Sequence, residues 1–226
     1  MDIKKVVRPV FIKKRGATRY AFGGTCFYLK VGEDIYVITA EHVISDHDAF
    51  IMDHQKKNAE FVVEDLMHPT TVVATSKIYD IAILKSDYFP GDSLLPLDIE
   101  PPGNYRVGSL EYSRLDLKTN DKIITVNAST RIGNVVRVAS DSLFPFSVYE
   151  LSYPALKGAS GSPSVYLDGP DMFSVFGVVV ANANQELMPV QTYQYKGSDG
   201  EEETTHFYLP SALAIPIRHV IELLEK

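Results

Sequence analysis

Three short stretches of this chain hold the residue types that nucleophilic catalysis requires. One is Lys157-Gly158-Ala159-Ser160-Gly161-Ser162-Pro163. A serine hydroxyl is a weak nucleophile at neutral pH and needs a neighbouring base. Glycines on either side let the backbone turn sharply, and the N–H groups so freed can converge on a developing oxyanion. The same composition also suits a plain turn, because Gly, Ser and Pro punctuate turns of every kind. A second stretch, Val37-Ile38-Thr39-Ala40-Glu41-His42, puts a histidine directly after an apolar run. Imidazole accepts and returns a proton near pH 7. His47, His54, His68, His206 and His219 have no such placement and read as ordinary polar residues. The third, Tyr79-Asp80-Ile81-Ala82-Ile83-Leu84, sets an acid at the head of a core run. A carboxylate there can orient an imidazole and stabilise its protonated form, although aspartate is common at any strand start or turn.

Each stretch alone is weak, but together they match a family. Thr39-Ala40-Glu41-His42 resembles the Thr-Ala-x-His motif of the chymotrypsin-like (trypsin-like) serine proteases. Asp80-Ile81-Ala82-Ile83-Leu84 resembles their Asp-(Ile/Leu)-Ala motif, and Gly158-Ala159-Ser160-Gly161-Ser162-Pro163 their Gly-x-Ser-Gly motif. The order His, Asp, Ser is that family's own and differs from the orders in subtilisins and α/β-hydrolases. The tail Phe207–Pro216, with the helix that follows, resembles the ending of the high-temperature-requirement (HtrA-type) branch, in a form without its PDZ domain.

The resemblance implies an all-β fold: two six-stranded antiparallel barrels with a C-terminal α-helix and an active site between them. It implies a serine endopeptidase in which Ser160 attacks the scissile carbonyl, His42 carries the proton and Asp80 holds the imidazole. The backbone N–H groups of Gly158 and Ser160 would form the oxyanion hole. Val180, Ala181 and Asn182 would line the cleft, on a strand that pairs with the substrate backbone. Leu156, in the segment Tyr153–Leu156, would border the specificity pocket. No acidic residue lies between Leu151 and Ser160, which favours an apolar side chain over Lys or Arg. The alternative is a silent or latent module of the same fold that binds a peptide or partner protein. An ester hydrolase is a third reading.

Two departures matter. Val43 follows His42 where secreted members carry a bridging cysteine. Ala159 stands where pancreatic-type members have an aspartate that pairs with a new N-terminus after zymogen cleavage, so no such ion pair is expected.

The elements that must position these residues read as short strands. Thr25–Lys30 and Asp34–Thr39 form a hairpin signal. Val6–Ile12, Phe61–Val63, Thr70–Ala74, Ile81–Leu84, Tyr105–Tyr112, Ile123–Val126, Ile132–Val138, Ser147–Ser152, Ser162–Tyr166, Ser174–Val180 and His206–Leu209 follow the same β-branched and aromatic pattern. In Pro216–Lys226, Ile217, Val220, Ile221 and Leu224 share one helical face. A shorter turn of helix is expected after Ala40. The proline-rich seam Leu95–Asn104 suggests two halves of one protease domain, 1–100 and 101–226. Lys196–Glu203 reads as a polar, acidic loop.

Composition narrows the function further. The 226 residues carry 22 Lys and Arg against 29 Asp and Glu, a net charge of −7, which argues against a nucleic-acid partner. No apolar stretch approaches the ~20 residues of a spanning helix, so no membrane association is expected. The single cysteine, Cys26, excludes an internal disulfide scaffold, and the N-terminus lacks the pattern of a secretory leader. A cytoplasmic location is expected. Asp46-His47-Asp48 is a weak metal candidate without ligand spacing, and no dinucleotide or phosphate-loop fingerprint occurs, so no metal and no cofactor are expected. The expected partner is a peptide or protein substrate, with room for an unidentified partner or activator protein.

Overall fold

A computed structural model describes residues 3–53, 66–99, 101, 105–117, 124–140, 144–169, 172–186, 194–196, 202–204 and 208–226. The first sheet is built from β1 (Val7–Lys13), β2 (Ala21–Val31), β3 (Asp34–Thr39), β4 (Asp48–Met52), β5 (Met67–Pro69), β6 (Thr71–Ser76) and β7 (Ile81–Lys85). A one-turn helix α1 (Ile3–Val6) precedes it, and α2 (Glu41–Ile44) lies between β3 and β4. The expected hairpin is β2–β3, in register from Phe27↔Ile38 to Val31↔Asp34.

This sheet has seven strands in the order β5-β4-β1-β2-β3-β7-β6, one more than expected, and its ladder does not close. Two features account for the difference. β4 grows out of the polar Asp48 run and pairs with β1 from Val10↔Ile51 to Lys13↔Asp48. The strand expected at Thr70–Ala74 is β6, beginning one residue later, and a separate β5 ends at Pro69; Thr70 between them donates through its N–H (3.1 Å) and hydroxyl (2.9 Å) to the Ala49 carbonyl. The two edge strands, β5 and β6, are therefore joined by one residue, which curls the sheet until its edges meet at a corner. The strand expected at Phe61–Val63 lies outside the described residues.

The second unit is a closed six-stranded barrel, as expected, in the order β10-β15-β12-β11-β8-β9. Its strands are β8 (Arg106–Leu117), β9 (Ile124–Ser140), β10 (Ser147–Leu151), β11 (Pro163–Tyr166), β12 (Val175–Glu186) and β15 (Tyr208–Pro216). The two strands expected at Ile123–Val126 and Ile132–Val138 are one long strand. The polar stretch Asn127–Arg131, which reads as a break, is held in register against β8 from Ala128↔Tyr112 to Arg131↔Ser109. The expected strand at His206–Leu209 is described only from Tyr208, and it runs on through Pro216. Within the expected acidic loop, β13 (Gln194–Lys196) pairs with β14 (Glu202–Thr204).

The described part of the proline-rich seam joins the two sheets through its backbone. Leu94 exchanges hydrogen bonds with β2, Leu94 N–H to Tyr28 O and Lys30 N–H to Leu94 O, both 2.9 Å. Leu97 N–H donates to Val175 O and Val175 N–H to Leu95 O on β12, both 2.8 Å. The helix α3 (Arg218–Leu224) closes the chain. Ile217 at its N-cap and Val220 are fully buried, each worth about 1.5–3 kcal/mol relative to exposure. Cys26 is buried in β2, and burial pushes its thiol well above the ordinary range. Among the described residues, no helix is long and apolar enough to cross a membrane, and no three His, Cys, Asp or Glu residues gather as a metal site.

Candidate active site

The histidine is placed by the change from strand to helix at the end of β3. Ala40 is still extended (φ −77°, ψ 146°), and no side chain of its own caps α2. The cap comes from Asp80, at the head of β7. Its carbonyl accepts the Glu41 N–H (3.1 Å), and its carboxylate accepts the His42 N–H through Oδ1 (3.0 Å) and meets His42 Nδ1 through Oδ2 (2.7 Å). Asp80 adopts the left-handed region, φ +52°, which aspartate tolerates better than most residues. With Nδ1 donating to the carboxylate, neutral His42 keeps Nε2 as an acceptor. The Asp80 hydrogen bond is the main cause that raises the His42 pKa above its ordinary value; partial burial opposes it, and the charges of Asp80 and Glu41 add to it. The imidazole is half exposed and the carboxylate mostly buried, with relative exposures of 49% and 18%.

The serine sits on a loop that only glycine can form at two positions. Gly158 has φ +98° and Gly161 φ +86°. A Cβ on Gly158 would lie 2.5 Å from the Phe22 ring and from Tyr112 O. On Gly161 it would lie 2.1 Å from Thr25 O and 3.0 Å from Ala40 N, so the loop packs directly against the residue that leads into α2. The turn is closed by Ala159 N–H to Leu156 O (2.8 Å) and Ser162 N–H to Ala159 O (2.9 Å).

Thr25, on β2, ties this loop to the first sheet. Its N–H donates to Ser160 O (2.9 Å), and its hydroxyl donates to Gly158 O (2.8 Å) and accepts the Tyr112 N–H (3.0 Å). Its own carbonyl takes the Thr39 hydroxyl (2.7 Å). Sequence reasoning missed Thr25; the available signal was a hydroxyl residue standing within an apolar strand. With the Gly158 carbonyl turned inward to Thr25, neither the Gly158 nor the Ser160 N–H finds an acceptor among the described residues.

The Ser160 hydroxyl does not bond His42. It turns to Val180 O at 3.4 Å, a long and weak contact. Val180 occupies a bulge between Val179 and Ala181 in the β12–β15 ladder. The bulge suspends the usual alternation, so consecutive carbonyls face the serine loop: Val179 O accepts the Gly161 N–H (2.7 Å) and Val180 O the Ser160 hydroxyl.

Further along β12, Asn182 lies opposite Ala212, whose N–H points away to Tyr153 O (2.7 Å). This makes Asn182–Ala212 a non-hydrogen-bonded pair, so the Asn182 peptide groups face the open edge of the strand. The Asn182 side chain is occupied differently from a free cleft lining. Its Nδ2 donates to Ala155 O and its Oδ1 accepts the Ala155 N–H, both at 2.7 Å. The amide thus bridges β12 to the segment Tyr153–Leu156, in which Tyr153 is buried and Leu156 is exposed at the surface.

A curled sheet carrying a His–Asp pair is bonded across a seam to a closed barrel that carries a glycine-flanked serine, a double-barrel architecture. Residues 24–170 match the family model described as "Trypsin-like peptidase domain", and the chain belongs to that family. The fold is similar to three solved structures. One is a serine endoprotease from Yersinia pestis, at 13% identity and a TM-score of 0.60, covering 99% of this chain and 64% of that one. Another is the active form of the Rv3671c protease from M. tuberculosis, at 17% identity and 0.62, covering 99% and 81%. The third is the HtrA-type protease AlgW with a decapeptide, at 11% identity and 0.62, covering 98% and 63%. The chain therefore spans less than two thirds of the length of the Yersinia and AlgW proteins. None of the curated protein sequences matches it.

Proposed function

We propose that the protein is a serine endopeptidase acting through His42, Asp80 and Ser160. The observation that carries this reading is the double engagement of His42 by Asp80, ring and backbone together, with Ser160 on a loop whose flanking glycines take positive φ. In the acting state the serine hydroxyl would leave Val180 O for His42 Nε2. The oxygen then attacks the scissile carbonyl carbon as its proton passes to Nε2, and Asp80 stabilises the imidazolium. The free N–H groups of Gly158 and Ser160 receive the oxyanion. Collapse expels the amine, which takes the proton from His42, and leaves an ester on Ser160. Water attacks that ester as His42 takes its proton, and collapse releases the acid while His42 returns the proton to the departing Ser160 oxygen.

The substrate backbone would add to the open edge of β12 at Val180–Asn182. Its acyl-side residue would be apolar, bordered by Ala181 and Leu156, with the Asn182–Ala155 bridge bounding the pocket. His42 and Asp80 belong to the half 1–100 and Ser160 to the half 101–226. The cytoplasmic setting is part of the proposal and rests on the single, buried cysteine.

One observation favours the second reading, a latent module that needs a partner or activator to switch on: the Ser160 hydroxyl is turned to Val180. Turnover of a peptide library separates the two. The endopeptidase reading predicts cleavage by the chain alone, lowered roughly 10⁴–10⁶-fold by Ser160→Ala or His42→Ala. Cleavage that persists in either variant contradicts the assignment. Cleavage that begins only on adding a partner supports latency.

A further inference from the structure

Asp80 is held to α2 by three hydrogen bonds. The residue before it, Tyr79, is held by other elements. Its N–H donates to Ser76 Oγ (3.1 Å), and its ring lies face to face on the imidazole of His219, with centroids 4.2 Å apart and planes 16° from parallel. Phe146 packs edge-on against both rings, 5.1 Å from Tyr79 and 5.0 Å from His219. His219 is itself anchored: its Nδ1 meets Glu222 Oε2 at 2.9 Å, and the residue is buried.

That helix is rooted in the closed barrel. Ile217 N–H donates to Phe176 O (2.9 Å) on β12, and α3 follows directly on β15. It then reaches across to the loop that ends in Asp80 on the curled sheet. The half that carries the serine thus grips the residue next to the aspartate of the other half.

We propose that His219, acting through Tyr79, is a positioning residue that keeps the Asp80 carboxylate on His42; this rests on the assignment of Asp80 to the catalytic triad. Asp80 sits at φ +52°, a conformation its neighbours must enforce. Tyr79 shares a peptide bond with it, so a displaced Tyr79 ring lets Asp80 relax to an ordinary φ. The carboxylate then moves off the imidazole. Asp80 and Glu41 are the charged groups that act on His42, so loss of the Asp80 bond registers in the titration of that ring.

The test follows the His42 ring by NMR titration, assigned with His42→Ala, in His219→Leu, Tyr79→Leu and His219→Phe. Leucine fills volume without a ring face, whereas phenylalanine keeps the stack. Both leucine variants should lower the His42 pKa, because the Asp80 hydrogen bond that raises it is weakened, and His219→Phe should keep it at the native value. Tyr79→Leu alters a partly exposed residue and gives the same readout if His219→Leu does not fold. An unchanged His42 pKa in a folded leucine variant overturns the proposal. The titration does not depend on turnover. A lowered pKa in a protein whose Ser160 never reacts would support the coupling and overturn the peptidase reading instead.

Discussion

The Thr25 hydroxyl donates to the Gly158 carbonyl at 2.8 Å, from the curled sheet to the loop of the closed barrel. This bond turns one carbonyl of the serine loop inward, away from the cleft, while the Thr25 hydroxyl oxygen accepts the Tyr112 N–H. Thr25→Val keeps the shape and removes both bonds. Leaving two buried polar groups unpaired costs about 1–3 kcal/mol each, measurable by denaturant unfolding. With the loop free to re-orient, kcat should fall about tenfold to hundredfold, less than for loss of an oxyanion donor itself, with KM nearly unchanged.

The His42–Asp80 bond sets the pH dependence. The proposed mechanism needs neutral His42, and the pKa of that ring is raised above about 6.5. The acidic limb of kcat/KM is therefore expected above pH 6.5, with activity rising through it. The linked stability runs the other way. The raised folded pKa stabilises the protein below the unfolded value of about 6.5, and this contribution is lost as pH rises through the folded pKa. Asp80→Asn should move the limb to lower pH and cut kcat by about 10⁴. A limb that stays in place would mean that Asp80 does not act on His42.

Gly161→Ala places a methyl group 2.1 Å from Thr25 O at a residue with φ +86°. Strain and overpacking act together, and a loss of more than about 2 kcal/mol is expected. Thermal unfolding of the folded fraction measures it. A neutral substitution would mean that the loop is not held against β2 as described.

If the proposed pocket takes the acyl-side side chain, the Asn182–Ala155 bridge would bar its larger forms. Asn182→Gly removes the bar. Cleavage after a larger apolar residue such as leucine should then gain about tenfold relative to alanine, in line with about 1–3 kcal/mol per methylene in such pockets. The ratio of the two kcat/KM values reports it directly, and an unchanged ratio would place the pocket elsewhere.

The candidate residues were legible because local backbone needs wrote themselves into short motifs. Gly158 and Gly161 stand where φ is positive and a Cβ would collide, and His42 stands where β3 gives way to α2. The closed barrel was legible through strand periodicity, except where polar residues are paired in a long strand, as at Asn127–Arg131. What could not be read was contact between segments far apart in sequence. Thr25 looks like any strand threonine until Gly158 approaches it, 133 residues on. His219 reads as a polar residue on an amphipathic helix, yet it is buried against Tyr79. The curl of the first sheet depends on one threonine joining two edges, which no periodicity records.

The central claim is that Ser160 is an activated nucleophile. Reaction with a fluorophosphonate followed by peptide mass spectrometry tests it most directly. The account predicts a single adduct on Ser160, formed faster as pH rises through the His42 titration and abolished in Ser160→Ala. No adduct on Ser160 between pH 6 and 9, with the protein folded, would contradict it.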